Sequence, residues 1–380
     1  MKEKINYFYN PVRVIQGNGC VHELPTLAEE ILPHGGNILW LAWSESVFEL
    51  EVCKQLKKND AYEVRTICFN ESNPTVGQLF AIYQETKEFA PRLVVTIGGG
   101  SVMDVGKSLC CIYGKELQSE EELRIIIAQK AYGTPEAKWI GMPTTAGTGS
   151  EVTCWATIWD PEKNAKRSVE SKDNYAYAAL VDPELLKGIP VKLAVSSALD
   201  AVAHAVESYW AKASNLVSRE FALGAIRMIM RNIDQLMVCG KKEAAGAAMA
   251  KGSMMAGMAF SNTKTTACHS ISYPLTMQYQ IPHGTAVSML LAPVLRINSQ
   301  GDVPMEPLFE ALGVKDAEEL ELRIQTIMKH AGIPSTLKEW KVPYEQLPNL
   351  AALGITKGRA DNNPVELDTN RIVEILKTIY

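Results

Sequence analysis

Short apolar runs alternate with amphipathic stretches in the first half of the chain. Continuous apolar runs, typical of strands buried on both faces, occupy 37–43, 93–97 and 139–142. Helical patterns at 47–58, 74–89 and 102–113 follow or separate these runs. Strands that alternate with helices predict a parallel sheet in an α/β fold.

The pattern changes near residue 183, after which long helical periods dominate. These periods cover 192–212, 216–237, 242–260, 266–278 and 287–298. We therefore expect two domains, an α/β domain over 1–182 and an all-helical domain over 183–380. Between the strands expected at 153–159 and 178–181, the sequence predicts a polar loop that holds Lys163, Lys166 and Arg167.

Composition is that of an ordinary globular protein. The 380 residues are 47% hydrophobic with a net charge of −5, and the charges are interspersed. We therefore expect neither nucleic-acid nor membrane partners. The N-terminal segment lacks a signal-peptide pattern, which predicts a cytoplasmic protein. Eight cysteines without a CxxC pair indicate reduced core thiols.

Asp200 and His204 lie four residues apart in a helical pattern, so both side chains leave one face of one helix. His269 and, in the sequence Pro282-His283-Gly284, His283 follow in the same half of the chain. Each histidine alone is more typical of a hydrogen-bonded core residue. Together, three imidazoles and a carboxylate favour Fe²⁺ or Zn²⁺ over Ca²⁺ or Mg²⁺.

A glycine-rich turn, residues 98–101, follows one predicted strand and leads into a helix. Such a turn lets backbone N–H groups approach a phosphate, with help from the helix dipole. GxGxxG would require glycine where Met103 stands, and the Walker A loop would require it where Ser101 stands. A tight structural turn without a ligand remains the alternative.

The stretch 143–151 also follows a predicted strand and is rich in glycine and hydroxyl residues. Its Thr144, Thr145, Thr148 and Ser150 offer donors to phosphate and ribose oxygens.

These pieces together resemble the iron-containing (group III) alcohol dehydrogenases, in the superfamily of glycerol dehydrogenase and dehydroquinate synthase. The resemblance runs nearly end to end. It rests on NPVRVIQGNG, IGGGSVMDVGKS, PTTAGTGSEVT, VDPELL, ALDAVAHAVESY, ACHSISYPL, IPHG and NNP, in that order.

The resemblance implies a Rossmann-like N-terminal domain that binds NADP(H) or NAD(H), an all-α C-terminal domain, and one divalent metal, Fe²⁺ or Zn²⁺. It assigns the metal to Asp200, His204, His269 and His283. It assigns the pyrophosphate to Gly98, Gly99, Gly100 and Ser101, and the adenosine, ribose and phosphates to Thr144, Thr145, Thr148 and Ser150. Lys166 would lie near the nicotinamide ribose, and Asp104 would support the loop. A homodimer or higher homo-oligomer is also implied.

The implied reaction is hydride transfer between an aldehyde and a primary alcohol. Many relatives carry a second histidine where this chain has Tyr273, so Tyr273 and Lys166 are the catalytic candidates. A phenol carries protons poorly near neutral pH, which leaves water or the ribose hydroxyls as the relay. Ala42-Trp43-Ser44 lacks the acid of NAD-preferring relatives, which favours NADPH or dual use unless nearby Glu45 substitutes for it.

EVTCWATIWD and HSISYPLT are similar to the branch that contains phosphonoacetaldehyde reductases, which make 2-hydroxyethylphosphonate. Lys163, Arg167 and Lys357 would favour an anionic substrate, although basic residues are usually solvated surface. The alternatives are a short-chain alcohol (butanol-type) or polyol dehydrogenase, a lyase similar to dehydroquinate synthase, and a non-catalytic nucleotide- or metal-binding module.

Overall fold

The computed structural model describes residues 6–163, 165–355 and 358–380, which divide into two units. One unit, here the sheet unit, comprises residues 10–145 and 150–185. The other, the helical unit, comprises residues 186–380 together with 6–9 and 146–149. The domain boundary predicted after residue 182 stays a prediction.

The sheet unit contains eight strands and five α-helices among its described residues. The strands are β1 (Arg13–Gln16), β2 (Gly36–Ala42), β3 (Tyr62–Cys68), β4 (Leu93–Gly98), β5 (Lys138–Pro143), β6 (Trp155–Asp160), β7 (Ala165–Glu170) and β8 (Ala178–Val181). The helices are α1 (Leu24–Ile31), α2 (Glu51–Lys58), α3 (Val76–Thr86), α4 (Gly100–Ile112) and α5 (Glu120–Gln129).

Six strands form one parallel sheet in the order β1-β8-β5-β4-β2-β3. Leu39, Trp40 and Leu41 in β2 have no exposed surface, and all six residues of β4 are buried. Strands covered on both faces must be apolar throughout, which explains why the continuous runs predicted them. From β2 the chain passes outward to β3 and then returns to β4 on the other side of β2. The carboxyl ends of β2 and β4 therefore meet at a switch point, where sheets of this kind bind ligands.

β6 and β7 form a separate antiparallel hairpin in which Trp155 pairs with Glu170 and Asp160 with Ala165. The prediction of a polar loop over Lys166 and Arg167 is wrong, because both residues lie in β7. A two-stranded hairpin can leave one face polar, so β7 has no continuous apolar run to mark it.

The helical unit contains nine α-helices among its described residues. These are α6 (Val191–Trp210), α7 (Leu216–Met230), α8 (Lys242–Thr263), α9 (Ala267–Tyr279), α10 (His283–Asn298), α11 (Glu306–Leu312), α12 (Ala317–His330), α13 (Leu347–Leu353) and α14 (Thr369–Thr378). All residues from Ala198 to Trp210 in α6 are buried, because α7, α8, α9 and α10 pack around that helix. A helix that is buried on every side lies at the centre of its unit.

The expected fold class, a parallel α/β portion followed by an all-helical portion, is confirmed. Among the described helices, none is long and apolar enough to cross a membrane.

Candidate metal centre and nucleotide loop

The central helix α6 supplies three of the polar side chains of the candidate metal centre. Asp200, His204 and Glu207 follow each other at spacings of four and three, which places them on one helix face. All three are buried, and Glu207 has no exposed surface. Charged groups at such depth require partners of opposite charge or a bound cation.

Glu207 holds the start of α9, which carries His269. One carboxylate oxygen of Glu207, Oε1, accepts hydrogen bonds from the Cys268 N–H at 2.7 Å and the Thr266 hydroxyl at 2.8 Å. The other, Oε2, forms a short hydrogen bond with His269 Nδ1. Since Nδ1 is engaged by Glu207, the ring orientation is fixed and Nε2 is the nitrogen available to a metal.

His283 is the first residue of α10, after Pro282. The next residue, Gly284, lies so close to α6 that a Cβ on it would stand 2.3 Å from the Ser196 carbonyl oxygen. Glycine therefore permits this helix contact, one turn before Asp200. The pair Pro282 and Gly284 thus starts a helix that delivers His283 to the Asp200 face of α6.

Asp200, His269 and His283 bring their donor atoms within 4.8 Å of one another. Asp200 Oδ1 and His269 Nε2 lie 3.5 Å apart, and both are buried atoms without a hydrogen-bond partner. Unsatisfied buried polar atoms are rare in proteins, and a bound ion is one way to satisfy them. A carboxylate and imidazoles that converge on one point fit a divalent transition metal.

His204 lies beside this three-residue group but is not part of it. Its ring stacks on that of His269 with centroids 4.3 Å apart, and its Nδ1 is 3.9 Å from Asp200 Oδ2. The same Nδ1 lies 3.2 Å from the carbonyl oxygen of Gly147. Because a carbonyl only accepts, Nδ1 must donate, which leaves a lone pair on Nε2 suited to a metal.

The electrostatics of the cluster favour a positive charge between the carboxylates. Burial alone would raise the pKa of Asp200, but the imidazoles of His204, His269 and His283 outweigh it and lower the pKa. Burial lowers the pKa of His204 to about 4, so that ring is neutral at neutral pH. For His269, burial would lower the pKa, but the Glu207 and Asp200 carboxylates prevail and raise it. A divalent cation bound between these groups would supply the positive charge that the carboxylates favour.

Tyr273, a predicted catalytic residue, lies one turn after His269 in α9. Its ring is nearly parallel to that of His283, with centroids 5.9 Å apart and an interplanar angle of 9°. Burial raises the pKa of Tyr273, Arg359 lowers it less, and the Glu207 and Asp200 carboxylates raise it further. The phenol is therefore protonated at neutral pH and acts as a hydrogen-bonding group rather than an acid.

The predicted pyrophosphate turn joins β4 to α4 in the sheet unit. No side chain caps α4, whose first residues are Gly100 and Ser101, so its first N–H groups remain available to an anion. A Cβ on Gly98 would stand 2.4 Å from a methyl carbon of Val102, so only glycine allows this sharp strand-to-helix connection. Ser101 accepts a hydrogen bond from the Asn73 N–H at 3.3 Å.

The predicted nucleotide loop begins next to this turn. The Thr144 N–H donates to the Gly98 carbonyl at 3.0 Å, and Thr144, Thr145 and Thr148 are partly exposed. Ser150 is buried instead, and its hydroxyl donates to Asp104 at 3.1 Å. Asp104 also accepts from the Thr157 N–H at 2.9 Å. Ser150 thus braces the loop through Asp104.

The basic residues proposed for cofactor or substrate binding differ in their surroundings. Lys166 in β7 lies over the Trp159 ring, with Nζ 5.7 Å from the centroid. Burial raises the pKa of Asp104, and the charges of Lys107 and Lys166 only partly oppose that rise. Arg167 is bound to the buried Asp160 carboxylate at 2.6 Å, which removes it as a free anion receptor. Lys163 is exposed, and Lys357 lies outside the described residues.

Two groups of this centre were not predicted from the sequence. Glu207 carried a signal, because it continues the Asp200 and His204 face of α6 at helical spacing. The Gly147 carbonyl carried none, since backbone contacts between distant segments leave no trace in residue identity.

The helical unit brings together a carboxylate and imidazoles, and the sheet unit has an uncapped helix after a glycine turn. Both features fit an oxidoreductase that uses a divalent metal and a dinucleotide. The chain belongs to the iron-containing alcohol dehydrogenase family. The model of iron-containing alcohol dehydrogenase matches residues 11–183, and that of the C-terminal part of the Fe-containing alcohol dehydrogenase family matches residues 194–380. The protein is thus an oxidoreductase of the aldehyde and alcohol class, and the resemblance drawn from its motifs is confirmed.

Relatives within the family differ in substrate. The chain is 32% identical to 1,3-propanediol dehydrogenase of Citrobacter freundii over 76% of each chain. It is 28% identical to phosphonoacetaldehyde reductase of Streptomyces viridochromogenes over 82% of each. Its fold matches the structure of sulfoacetaldehyde reductase from Bifidobacterium kashiwanohense in complex with NAD⁺, with a TM-score of 0.88 and 26% identity over 99% of both chains.

Proposed function

We propose that this protein reduces a short aldehyde to a primary alcohol, using NADPH or NADH and one divalent metal, Fe²⁺ or Zn²⁺. The observation that carries the proposal is the convergence of Asp200, His269 and His283, with two buried donor atoms that lack any other partner. Asp200, His204, His269 and His283 are the ligands in this proposal. A metal held there supplies a Lewis acid that polarises the substrate carbonyl.

The surrounding residues set the ligands in place. Glu207 orients His269 through Nδ1, and the Gly147 carbonyl selects the tautomer of His204 that presents Nε2. Tyr273 supplies a neutral hydroxyl beside His283 that can hydrogen-bond to the substrate oxygen. Because its pKa is raised, we assign the proton to a relay through water or the ribose hydroxyls.

The proposed cofactor site uses the glycine turn and the hydroxyl loop of the sequence prediction. Gly98, Gly99, Gly100 and Ser101 would receive the pyrophosphate at the start of α4, with Thr144, Thr145, Thr148 and Ser150 beside it and Lys166 near the nicotinamide ribose. At the end of β2, Trp43 is 48% exposed and no acid occupies positions 42–44. Glu45 lies near Cys68, whose pKa is raised by burial and further by the Glu45 charge. We therefore favour NADPH.

The proposed substrate is phosphonoacetaldehyde, which would be reduced to 2-hydroxyethylphosphonate. The motifs EVTCWATIWD and HSISYPLT support it, as does a relative that is named for this reaction. A second candidate is a short neutral alcohol or diol, favoured by the 32% identity to 1,3-propanediol dehydrogenase.

Oxidation of NADPH and NADH, followed by absorbance with a panel of short aldehydes, tests the proposal. The metal-stripped enzyme should be inactive, and Fe²⁺ or Zn²⁺ should restore it. His269→Ala should abolish turnover, whereas a change at an exposed histidine of α12, His330→Ala, should not. An inactive panel, or full activity in His269→Ala, contradicts the proposal. Equal kcat/KM for phosphonoacetaldehyde and butanal removes the phosphonate assignment.

A further inference from the structure

A positively charged side chain lies close to the metal-ligand cluster without belonging to it. The Arg359 guanidinium carbon is 5.5 Å from the centroid of the Tyr273 ring, and Tyr273 stacks on His283. Arg359, Tyr273 and His283 all lie in the helical unit. An aromatic face holds a guanidinium by cation–π attraction and limits the positions it can take. Arg359 is therefore placed one aromatic ring away from a ligand of the proposed metal.

The bonding of Arg359 differs from that of the ion-paired arginines Arg296 and Arg167. Arg296 forms ion pairs with Glu318 and Glu321 at 2.7 and 2.8 Å, and Arg167 pairs with Asp160. Arg359 is half-buried and has no carboxylate within ion-pair distance in the described parts of the chain. Its hydrogen bond goes to a neutral acceptor, the Thr265 hydroxyl. Most of its N–H donors thus remain available to an anionic ligand.

The segment that carries Arg359 is held firmly against the helical unit. The Asn362 side-chain amide donates to the Thr263 carbonyl at 2.8 Å and to the Thr265 carbonyl at 3.2 Å. Asn363 exchanges hydrogen bonds with the buried side chain of Asn298 at 2.8 and 3.0 Å. These bonds fix the backbone next to Arg359, which reduces the entropy lost when its guanidinium binds a ligand.

We propose that Arg359 is a specificity-determining residue that binds the anionic group of a short aldehyde whose carbonyl lies at the metal ligands. The inference rests on the proposed function and names the class of substrate: an aldehyde that ends in a phosphonate or a sulfonate. A guanidinium matches such tetrahedral anions because two of its parallel N–H groups can donate to two oxygens at once. A neutral aldehyde makes no use of this residue.

The role is tested by measuring kcat/KM of the metal-loaded Arg359→Met variant for an anionic aldehyde and for the neutral aldehyde butanal. Phosphonoacetaldehyde or sulfoacetaldehyde should lose about 10- to 100-fold in kcat/KM, mainly through KM, because hydrogen bonds to charged groups are lost. Butanal should stay within about threefold of wild type. Arg359→Lys should recover part of the anion preference, and the matched control Arg371→Met, at an exposed arginine of α14, should change neither substrate.

A binding measurement keeps the inference separate from the proposed function. Ethylphosphonate and ethanesulfonate, which cannot be reduced, are titrated calorimetrically into wild type and Arg359→Met with NADPH present. Wild type should bind at least one of them, and the variant should bind it about 10- to 100-fold more weakly. If wild type reduces no aldehyde, the proposed function is wrong. The titration still shows whether Arg359 binds the anion. Equal binding by wild type and variant, or equal losses for butanal and the anionic aldehydes, overturns the role of Arg359.

Discussion

Each unit contains a cluster of charged side chains in its interior. The two clusters differ in how many of their polar atoms have hydrogen-bond partners. In the sheet unit, Lys107 has no exposed surface, and its ammonium donates to the Thr153 hydroxyl and the Trp155 carbonyl, both at 2.9 Å. Asp104 lies 3.9 Å away as its counter-ion. In the helical unit, Asp200 Oδ1 and His269 Nε2 face each other without hydrogen-bond partners.

The difference separates a structural cluster from a ligand site. Buried polar atoms that bond to one another stabilise the fold once both partners are present. Buried donors that converge and stay unsatisfied are tolerated when a ligand completes them. Residue types alone would not make this distinction, since both clusters combine acids with basic side chains on helices.

Removal of a proposed ligand should have the largest effect. Asp200→Ala should lower kcat/KM at least about 1,000-fold, because the metal contributes several kcal/mol to transition-state stabilisation. Metal content by mass spectrometry should fall in parallel. Asp361→Ala, at an exposed acid elsewhere in the helical unit, serves as the control and should keep its metal. Full metal content with full activity in Asp200→Ala would show that the unsatisfied atoms are not ligands.

Lys107→Met should destabilise the fold without a direct effect on metal binding. It removes the counter-ion of the half-buried Asp104 carboxylate and the donor to the Thr153 hydroxyl and the Trp155 carbonyl, which together cost about 3 kcal/mol of unfolding free energy. Urea unfolding of the variant measures this loss. Lys130→Met removes an exposed pair with Glu170 and should cost less than about 1 kcal/mol. Equal stability of the two variants would contradict a structural role for the Lys107 cluster.

Glu151 provides a pH-dependent test within the same unit. Burial raises the pKa of Glu151 to about 7, against opposing effects of a backbone hydrogen bond and Lys107. The folded state therefore holds a proton that the unfolded state releases above pH 4.5, and stability falls as the pH rises from about 4.5 to 7. Glu151→Gln should remove this loss of stability. The free energy of unfolding should rise by on the order of 3 kcal/mol at pH 8 and by little at pH 4.5. An equal effect at both pH values would exclude a neutral Glu151.

Glu207→Gln should have a smaller effect, confined to the metal centre. Glutamine can keep the hydrogen bonds from the start of α9 but loses the negative charge beside His269 Nδ1. Metal affinity should fall about 10- to 100-fold, which competition with a chelator measures. Glu220→Gln, at an exposed position of α7, should leave affinity unchanged. Unchanged affinity in Glu207→Gln would mean that this carboxylate only holds α9 in place.

The sequence predicted the parts of the fold that depend on uniform burial. β2, β4 and β5 are apolar throughout because helices and neighbouring strands cover them, and α6 shows helical spacing of its buried acid and imidazole. β7 could not be predicted in the same way, because its charged residues 166 and 167 contact partners in β6 that only the hairpin brings near. Local strand propensity does not predict such long-range contacts.

The candidate site was predictable only as far as residue type and helical spacing mark its residues. Its proposed ligands stand out by residue type and by spacing on α6. Two groups orient these ligands: Glu207, which helical spacing on α6 marks, and the backbone carbonyl of Gly147, which no residue type marks. Arg359 lies outside any helical or strand pattern and meets Thr265 across 94 positions of sequence. No local pattern marks it for the anion-binding role proposed above.

X-ray absorption at the metal edge of the Zn²⁺- or Fe²⁺-reconstituted protein tests the central claim most directly. The donor set of Asp200 and three histidines predicts one metal per chain, surrounded only by nitrogen and oxygen at about 2.0–2.2 Å for Zn²⁺, with outer-shell scattering from imidazole rings. The signal should be lost in His269→Ala. A sulfur ligand at about 2.3 Å, or a metal that remains bound without His269, would contradict the account.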